Sequence, residues 1–311
     1  MTITQLQYVL AVAEHRNFTL AAEKSFVTQP TLSMQIQKIE EELGVLIFDR
    51  SKKPIQLTEV GEKIVAQAKN IVSESGRIKD IVDQQKGFIG GEFRLGIIPT
   101  VMPTLLPMFL NNFIKKYPKV RLIIEELNTD EIIFRLNNGH LDAAIAATPL
   151  AEEKIKEIVL YYEPFVAYLP ERSASLSKDE IEIEDLNPDE ILLLRDGHCF
   201  RDSVLNLCKI NDNAGKFRIE SGSFETLIKL ADEGLGTTLL PFLHTLDMKD
   251  KDKPKLRHFK EPKPAREVSL IFPKSELKMH IIEAIRSTIA GVVRGAVVFH
   301  NVQIVSPKPK K

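Results

Sequence analysis

The chain has 311 residues, 43% of them apolar, with 42 basic against 43 acidic side chains and a formal charge of −1. At roughly 100 to 200 residues per domain this is a globular protein of two or three units, and its charge names no partner. No apolar run reaches the ~18 residues of a membrane span, and the opening MTITQLQYVLAVAEHRNF lacks the basic start and small-residue cleavage site of a leader. A cytoplasmic protein with no membrane partner is expected.

Short helices over 5–14, 19–25 and 29–43, then strand-like 46–48 and 55–57, predict a winged helix-turn-helix domain over residues 1–58. Between the strands, Asp49-Arg-Ser-Lys-Lys-Pro54 carries Arg50, Lys52 and Lys53, either a wing that reaches DNA phosphates or a solvated turn. In the third helix Leu32, Ile36, Ile39 and Leu43 recur at four, three and four, the spacing of a buried stripe. Pro30 in its first turn and Thr28 before it mark the helix start.

The opposite face holds Pro30, Met34, Gln37 and Lys38, flanked by Gln29 and Ser33. Gln pairs with adenine, Ser with bases or phosphates, and Pro and Met meet thymine methyls. An ordinary polar helix face has the same make-up. Residues 1–58 contain six cations and six acids, so DNA contact must rest on where charges sit.

A long helix is predicted over 58–86, with Thr58 as cap and Glu59 and Glu62 in the first turn. Ile64, Ala68, Ile71, Ser75, Ile78 and Val82 alternate spacings of four and three, which reads as a coiled-coil seam between two copies over a linker at 59–87. From 92 onward predicted strands (92–98, 120–127, 143–147) alternate with helices (101–116, 129–137), the pattern of α/β units on a mostly parallel sheet. A second series has strands at 165–168, 191–194, 217–220 and 236–240, helices near 199–207 and 223–233, then a Pro-rich run, a strand at 267–272 and a last helix. Crossings near Glu163 and Arg266 predict two lobes, 88–163 plus 267–311 and 164–266.

In open α/β sheets functional groups gather beyond the carboxyl ends of strands. That rule brings together Thr100, Thr129 and the His198-Cys199 segment, although both threonines could simply cap the following helices. Cys199 and Cys208 are the only cysteines in the chain. On composition they read as two inert core residues; yet Cys199 opens a helix, beside His198 and Arg201, in a setting that favours a thiolate. Nine residues of α-helix advance about 13.5 Å and turn about 900°, which puts the two thiols on opposite faces. A disulfide needs Cα atoms about 4.4 to 6.8 Å apart, so any bond between them requires the helix to change.

Phe18-Thr-Leu-Ala-Ala-Glu23, Val27-Thr-Gln-Pro-Thr-Leu-Ser33, Gln35-Ile36, Ile39-Glu40, Leu43-Gly-Val45, Phe48-Asp-Arg50, Leu57-Thr58 and Gly61 together resemble the LysR-type transcriptional regulators. The resemblance implies an all-α winged helix-turn-helix domain, a long dimerising linker helix, and a two-lobed α/β effector domain like the periplasmic binding proteins, assembled as homodimers or homotetramers. It implies contacts to double-stranded operator DNA from Thr28, Gln29, Pro30, Thr31, Ser33, Gln35, Lys38, Arg50 and Lys53. Arg195-Asp-Gly-His-Cys-Phe-Arg-Asp202 with Cys208, and Gly96-Ile-Ile-Pro-Thr100, Ser223-Phe-Glu-Thr-Leu227, Gly234-Leu-Gly-Thr-Thr-Leu-Leu-Pro241 and Pro264-Ala-Arg266, are similar to the peroxide-sensing branch of that family.

The branch implies that hydrogen peroxide oxidises Cys199, that Cys208 resolves it as a reversible disulfide, and that antioxidant genes are activated in response. Thr100, Thr129, His198 and Arg266 then form the peroxide pocket, with Arg201 and Asp202 in the thiolate's surroundings. RNA polymerase and a cellular thiol-disulfide reductant are implied as partners, with no cofactor, no metal and no enzymatic turnover. Arg218 departs from the pattern where a histidine is expected in some relatives, and the run at 247–254 is unusually charged. Two other readings stay open: a regulator whose cleft binds a small metabolite, and a thiol peroxidase.

Overall fold

The computed structural model describes residues 1–85, 89–210, 221–297 and 301–307. The strand predicted at 217–220, with Arg218, falls outside them. Two compact units divide after Lys86. Among the described residues no helix is long and apolar enough to cross a membrane.

The first unit contains α1 (Ile3–His15), α2 (Phe18–Lys24), α3 (Gln29–Leu43), β1 (Phe48–Asp49), β2 (Gln56–Leu57) and α4 (Glu59–Gln85). Local chemistry sets each start. Thr2 and Gln5 form a reciprocal capping box, the Asn17 side chain accepts from the Thr19 and Leu20 amides, and Thr28 precedes α3 with Pro30 in its first turn. Leu6, Val9, Val12, Ala21, Leu32, Ile36, Ile39 and Phe48 close the core.

Leu43 departs from the predicted stripe, being 41% exposed. The helix ends there at Gly44, whose φ of 67° turns the chain away before any element covers the last turn. Glu40 takes an inside place instead, its Oε1 accepting from the Ile47 and Phe48 amides at 2.8 and 3.2 Å. The wing strands are shorter than predicted, Phe48 pairing with Leu57 and Asp49 with Gln56.

Thr58 caps α4, its hydroxyl accepting from Gly61 N at 2.9 Å while donating to Leu46 O at 2.7 Å. A Cβ on Gly61 would lie 2.1 Å from Ile47 O, a backbone atom that cannot move aside. Gly61→Ala is therefore expected to cost about 2 to 4 kcal/mol, read as a lower unfolding midpoint of the N-terminal unit in urea. The predicted seam of α4 divides: Ala68 is buried in the domain's own core with Ile64 and Ile71 packed against it, whereas Ile78 and Val82 are 66% and 45% exposed.

The second unit contains β3 (Gly91–Ile97), α5 (Met102–Lys116), β4 (Val120–Glu126), α6 (Thr129–Asn137), β5 (Ala143–Thr148), β6 (Ile155–Tyr168), β7 (Glu180–Ile181), β8 (Ile191–Leu192), α7 (Cys199–Cys208), α8 (Phe224–Asp232), β9 (Thr237–Pro241), α9 (Phe242–Leu246), β10 (Leu256–Phe259), β11 (Lys263–Pro273), α10 (Met279–Val293) and β12 (Val302–Ile304). The sheet order is β4-β3-β5-β11-β6-β10-β7, with β9 also on β6, β8 on β9 and β12 on β11.

The sheet is mixed, against the expectation of a mostly parallel one. β3, β4 and β5 run parallel, but β5 meets β11, and β6 meets β11, β9 and β10, antiparallel. The cause is two long strands, β6 and β11, which pass through both lobes. The predicted crossings coincide on them, Arg266 lying opposite Glu163 in register. One core gathers Phe93, Leu95, Phe109, Phe113, Val268 and Ile285 in the first lobe; the other gathers Phe165, Tyr168, Phe200, Val204, Leu239 and Phe259 in the second.

Two placements differ from the predicted lobes. Cys199 packs into the first lobe's core, and β12, assigned by sequence to the first lobe, leads to Val305 in the core of the second.

Candidate functional site

In the first unit, α3 presents Gln29, Pro30, Thr31, Met34, Gln37 and Lys38 to solvent, and the wing presents Lys52 and Lys53. The Thr28 hydroxyl, itself exposed, shares a 2.8 Å hydrogen bond with that of Thr31 and accepts from the Thr31 amide at 3.4 Å. Gln35 is turned toward α1, accepting from Gln5 Nε2 at 3.1 Å, and so is half-withdrawn from the face.

Arg50 has a structural tie that its sequence position does not reveal. It donates to Glu40 Oε2 at 2.8 Å and to Ser33 Oγ at 3.4 Å, with its guanidinium 5.0 Å from the centre of the Phe18 ring. It thereby anchors the wing to α2 and α3. Phe26, in the turn between those helices, is 95% exposed at a φ of 56°. An aromatic residue reads as core in a sequence, so nothing marked it for the surface.

In the second unit the site is built around a buried ion pair. Arg266, 1% exposed, donates from Nε to Glu163 Oε2 at 2.9 Å, and its Nη2 lies 2.7 Å from the same oxygen. Its remaining donors reach Thr100 Oγ1 at 2.7 Å and Thr100 O at 3.0 Å, and its guanidinium lies 5.1 Å from the Phe200 ring centre. Glu163 Oε1 accepts from the Leu243 amide at 2.9 Å. Burial opposes the arginine's charge, but Glu163 outweighs it and raises the Arg266 pKa. Glu163 had been placed only as a crossing point; it anchors the site's cation.

Neither threonine is spent on capping. Asn128 caps α6, accepting from the Glu131 amide at 2.9 Å, and Thr100 is held by Arg266. The Thr129 hydroxyl is buried with no hydrogen bond of ordinary geometry, yet it is close enough to Cys199 to favour the thiolate. His198, buried ahead of α7, accepts through Nε2 from Arg195 Nε at 3.4 Å. Burial, then the charge of Arg195, lowers its pKa, so the ring is neutral near pH 7 and its proton sits on Nδ1. Nδ1 is buried without a partner. The Tyr161 hydroxyl is a third such orphan, its pKa raised by burial and then by Glu163.

Cys199 sits among these groups, buried and free. Burial pushes its pKa up; Arg266, Thr129 and the Ala147 amide pull the other way, and Asp202 adds to the rise. Burial thus works against the thiolate that the helix start and the neighbouring cation favour. Arg201 donates to Leu194 O at 3.0 Å and pairs with Asp196 at 2.9 Å. Asp202 opposes the thiolate through its charge. Cys208 is buried in the other core, which pushes its pKa up to about 12.

Among the described residues no group of three His, Cys, Asp or Glu side chains is placed to hold a metal ion. Residues 3–62 match the bacterial regulatory helix-turn-helix protein model of the lysR family, and residues 86–293 match the LysR substrate binding domain. The chain belongs to the LysR family of DNA-binding transcriptional regulators.

Among LysR relatives, the chain is 33% identical over 295 residues to the DNA-binding transcriptional dual regulator OxyR of Escherichia coli, covering 94% of this chain and 97% of that one. It superposes on a full-length OxyR variant of Pseudomonas aeruginosa with a TM-score of 0.74 at 36% identity, covering 93% of this chain and 98% of the other. A peroxide-bound OxyR mutant of Corynebacterium glutamicum superposes with a TM-score of 0.65 at 28% identity, covering 95% and 94%. The two-lobed effector unit and the winged N-terminal unit are thus both those of a LysR regulator.

Proposed function

We propose that this LysR regulator senses hydrogen peroxide through Cys199 and converts its oxidation into a disulfide with Cys208 that alters operator binding. The observation that carries the proposal is a buried thiol set among a cation and under-used polar groups: His198 Nδ1–H has no protein partner, the Thr129 hydroxyl has none beyond Cys199, and Arg266 favours the thiolate. Orphaned buried donors are rare, and a small dioxygen species offers them acceptors.

The Cys199 sulfur attacks one peroxide oxygen, the O–O bond breaks, and the thiol proton leaves with the other oxygen as water. The sulfenic acid then condenses with the Cys208 thiol, forming the S–S bond and releasing a second water. A thiol reductant returns both cysteines to thiols. Thr129 and the His198 Nδ1–H are the donors for the reacting oxygens, and Arg266 supports the negative sulfur.

The two cysteines open and close α7 and belong to different cores. Bonding them cannot leave α7 helical. Remodelling α7 also releases Cys208 from the burial that keeps it protonated, so the resolving thiol becomes reactive only after the first step. A metabolite sensor is the second reading, and Thr100 speaks against it. Its hydroxyl and carbonyl are both occupied by Arg266 rather than offered to a ligand.

Because the Cys199 pKa is raised, only a small fraction is thiolate at neutral pH, and oxidation should accelerate about tenfold per pH unit from about pH 6 to about pH 8. Rapid-mixing measurement of sulfenic acid formation across that range checks it; a flat profile would point to a thiolate already formed.

Operator contact is assigned to Thr28, Gln29, Pro30, Thr31, Ser33, Lys38 and Lys53, with Gln35 and Arg50 acting also as internal struts. Lys38→Ala should weaken operator binding across sequences and reduce the salt slope of log K by about 1, as loss of one phosphate contact does. Ile78 and Val82 on α4 are the surface proposed for a second copy, giving dimers and, on the family pattern, tetramers. RNA polymerase and a cellular thiol reductant complete the proposed partners.

A further inference from the structure

Residues 301–307 return to the second lobe after α10 and lie across two parts of the redox machinery. β12 runs parallel to the start of β11, Val302 opposite Lys263 and Ile304 opposite Ala265. Lys263 N donates to Asn301 O at 3.1 Å, and Val305 N donates to Ala265 O at 2.8 Å, one residue before Arg266. Beyond the strand, Val305 and Pro307 are buried, and Val305 shares a core with Leu207 and Cys208. Asn206 Nδ2 donates to Ser306 O at 3.0 Å. The segment therefore grips the last turn of α7 at the residues next to Cys208.

We propose that residues 302–307 form a strap that positions the resolving cysteine: Asn206 and Val305 hold the final turn of α7 and keep Cys208 buried, and the strap must release that turn before the two cysteines can bond. The proposal rests on the redox reading of Cys199 and Cys208 and adds to it a control on the second step. Asn206 lies between the two cysteines, so it cannot keep its place when the helix separating them is remodelled. Its bond to Ser306 and the packing of Val305 are contacts of the reduced arrangement.

Whatever steadies the reduced helix slows its opening, and by linkage whatever opens the helix loosens the strap. A three-residue edge strand suits this use, because elements with few backbone bonds open locally at low cost. The strap has no part in the attack of Cys199 on peroxide, so the two steps should separate experimentally.

The test uses the full chain, unaltered and as Asn206→Ala and Val305→Asp. Sulfenic acid formation at Cys199, read by trapping with excess dimedone, is expected to keep its rate. Disulfide formation after a single peroxide pulse, read by quenched mass spectrometry, is expected to be about tenfold faster in the variants. In the unaltered protein, amide exchange over residues 302–307 should rise on oxidation.

Equal disulfide rates in all three proteins would overturn the strap, as would unchanged strap exchange in an oxidised chain that carries the disulfide. The exchange measurement needs no substitution, so it decides the question even where Val305→Asp fails to fold. No disulfide in the unaltered protein would overturn the redox reading itself, and the strap with it.

Discussion

Arg266→Met is expected to destabilise the effector unit by about 3 to 5 kcal/mol, the range for breaking one side of a buried ion pair. Both partners are 1% exposed, so solvent does little to soften the loss. The substitution leaves Glu163 with the Leu243 amide and strips Thr100 of its donor. Urea unfolding of the full chain, followed on the effector transition, measures the effect. Arg266→Met combined with Glu163→Met should regain most of the stability while leaving Cys199 slow toward peroxide, because the cation that favours its thiolate is gone. That pair of results separates the structural role of the ion pair from its chemical one. Full reactivity in the double variant would remove Arg266 from the mechanism.

Cys199→Ser is expected to abolish the peroxide response rather than weaken it. The remaining thiol cannot substitute: with a pKa of about 12, Cys208 is thiolate in only about one molecule in 10⁵ at pH 7. Peroxide consumption by the folded variant should be lost, since Arg266 and Thr129 favour the thiolate at Cys199 whereas burial alone acts on Cys208. Cys208→Ser should behave differently, losing the disulfide but still forming a trappable sulfenic acid at Cys199. Identical loss in both variants would mean that the roles assigned to the two cysteines are wrong.

Much of this was legible in the order of residues, because helix caps and apolar periodicity are local. Thr28 and Thr58 mark helix starts that the structure repeats, and Leu32, Ile36 and Ile39 form the buried stripe as read. The failures are nonlocal. β6 was seen only at its end, since the charges of Lys156 and Glu157 and the internal Pro164 break the pattern of a strand; its pairing with β11 overrides them. β10 and the start of β11 were hidden in a proline-rich run for the same reason, and β12 has too few residues to show a period. In the site, Cys199, His198 and Arg266 could be named from motifs, and Thr129 from its place after a strand. Glu163 and Tyr161 could not, because what matters about them is burial and partnership across the sheet. For Arg201 and Asp202, proximity in sequence says little about partners: Arg201 also reaches Leu194 O and Asp196, and the charge of Asp202 acts against the thiolate.

Treatment of the reduced full chain with a stoichiometric amount of hydrogen peroxide, followed by peptide mapping in the mass spectrometer and footprinting on a DNA site that the protein itself selects, bears most directly on the proposed switch. A Cys199–Cys208 linked peptide with an altered footprint, both reversed by a thiol reductant, is the expected result. Unlinked cysteines and an unchanged footprint after the same treatment would contradict it.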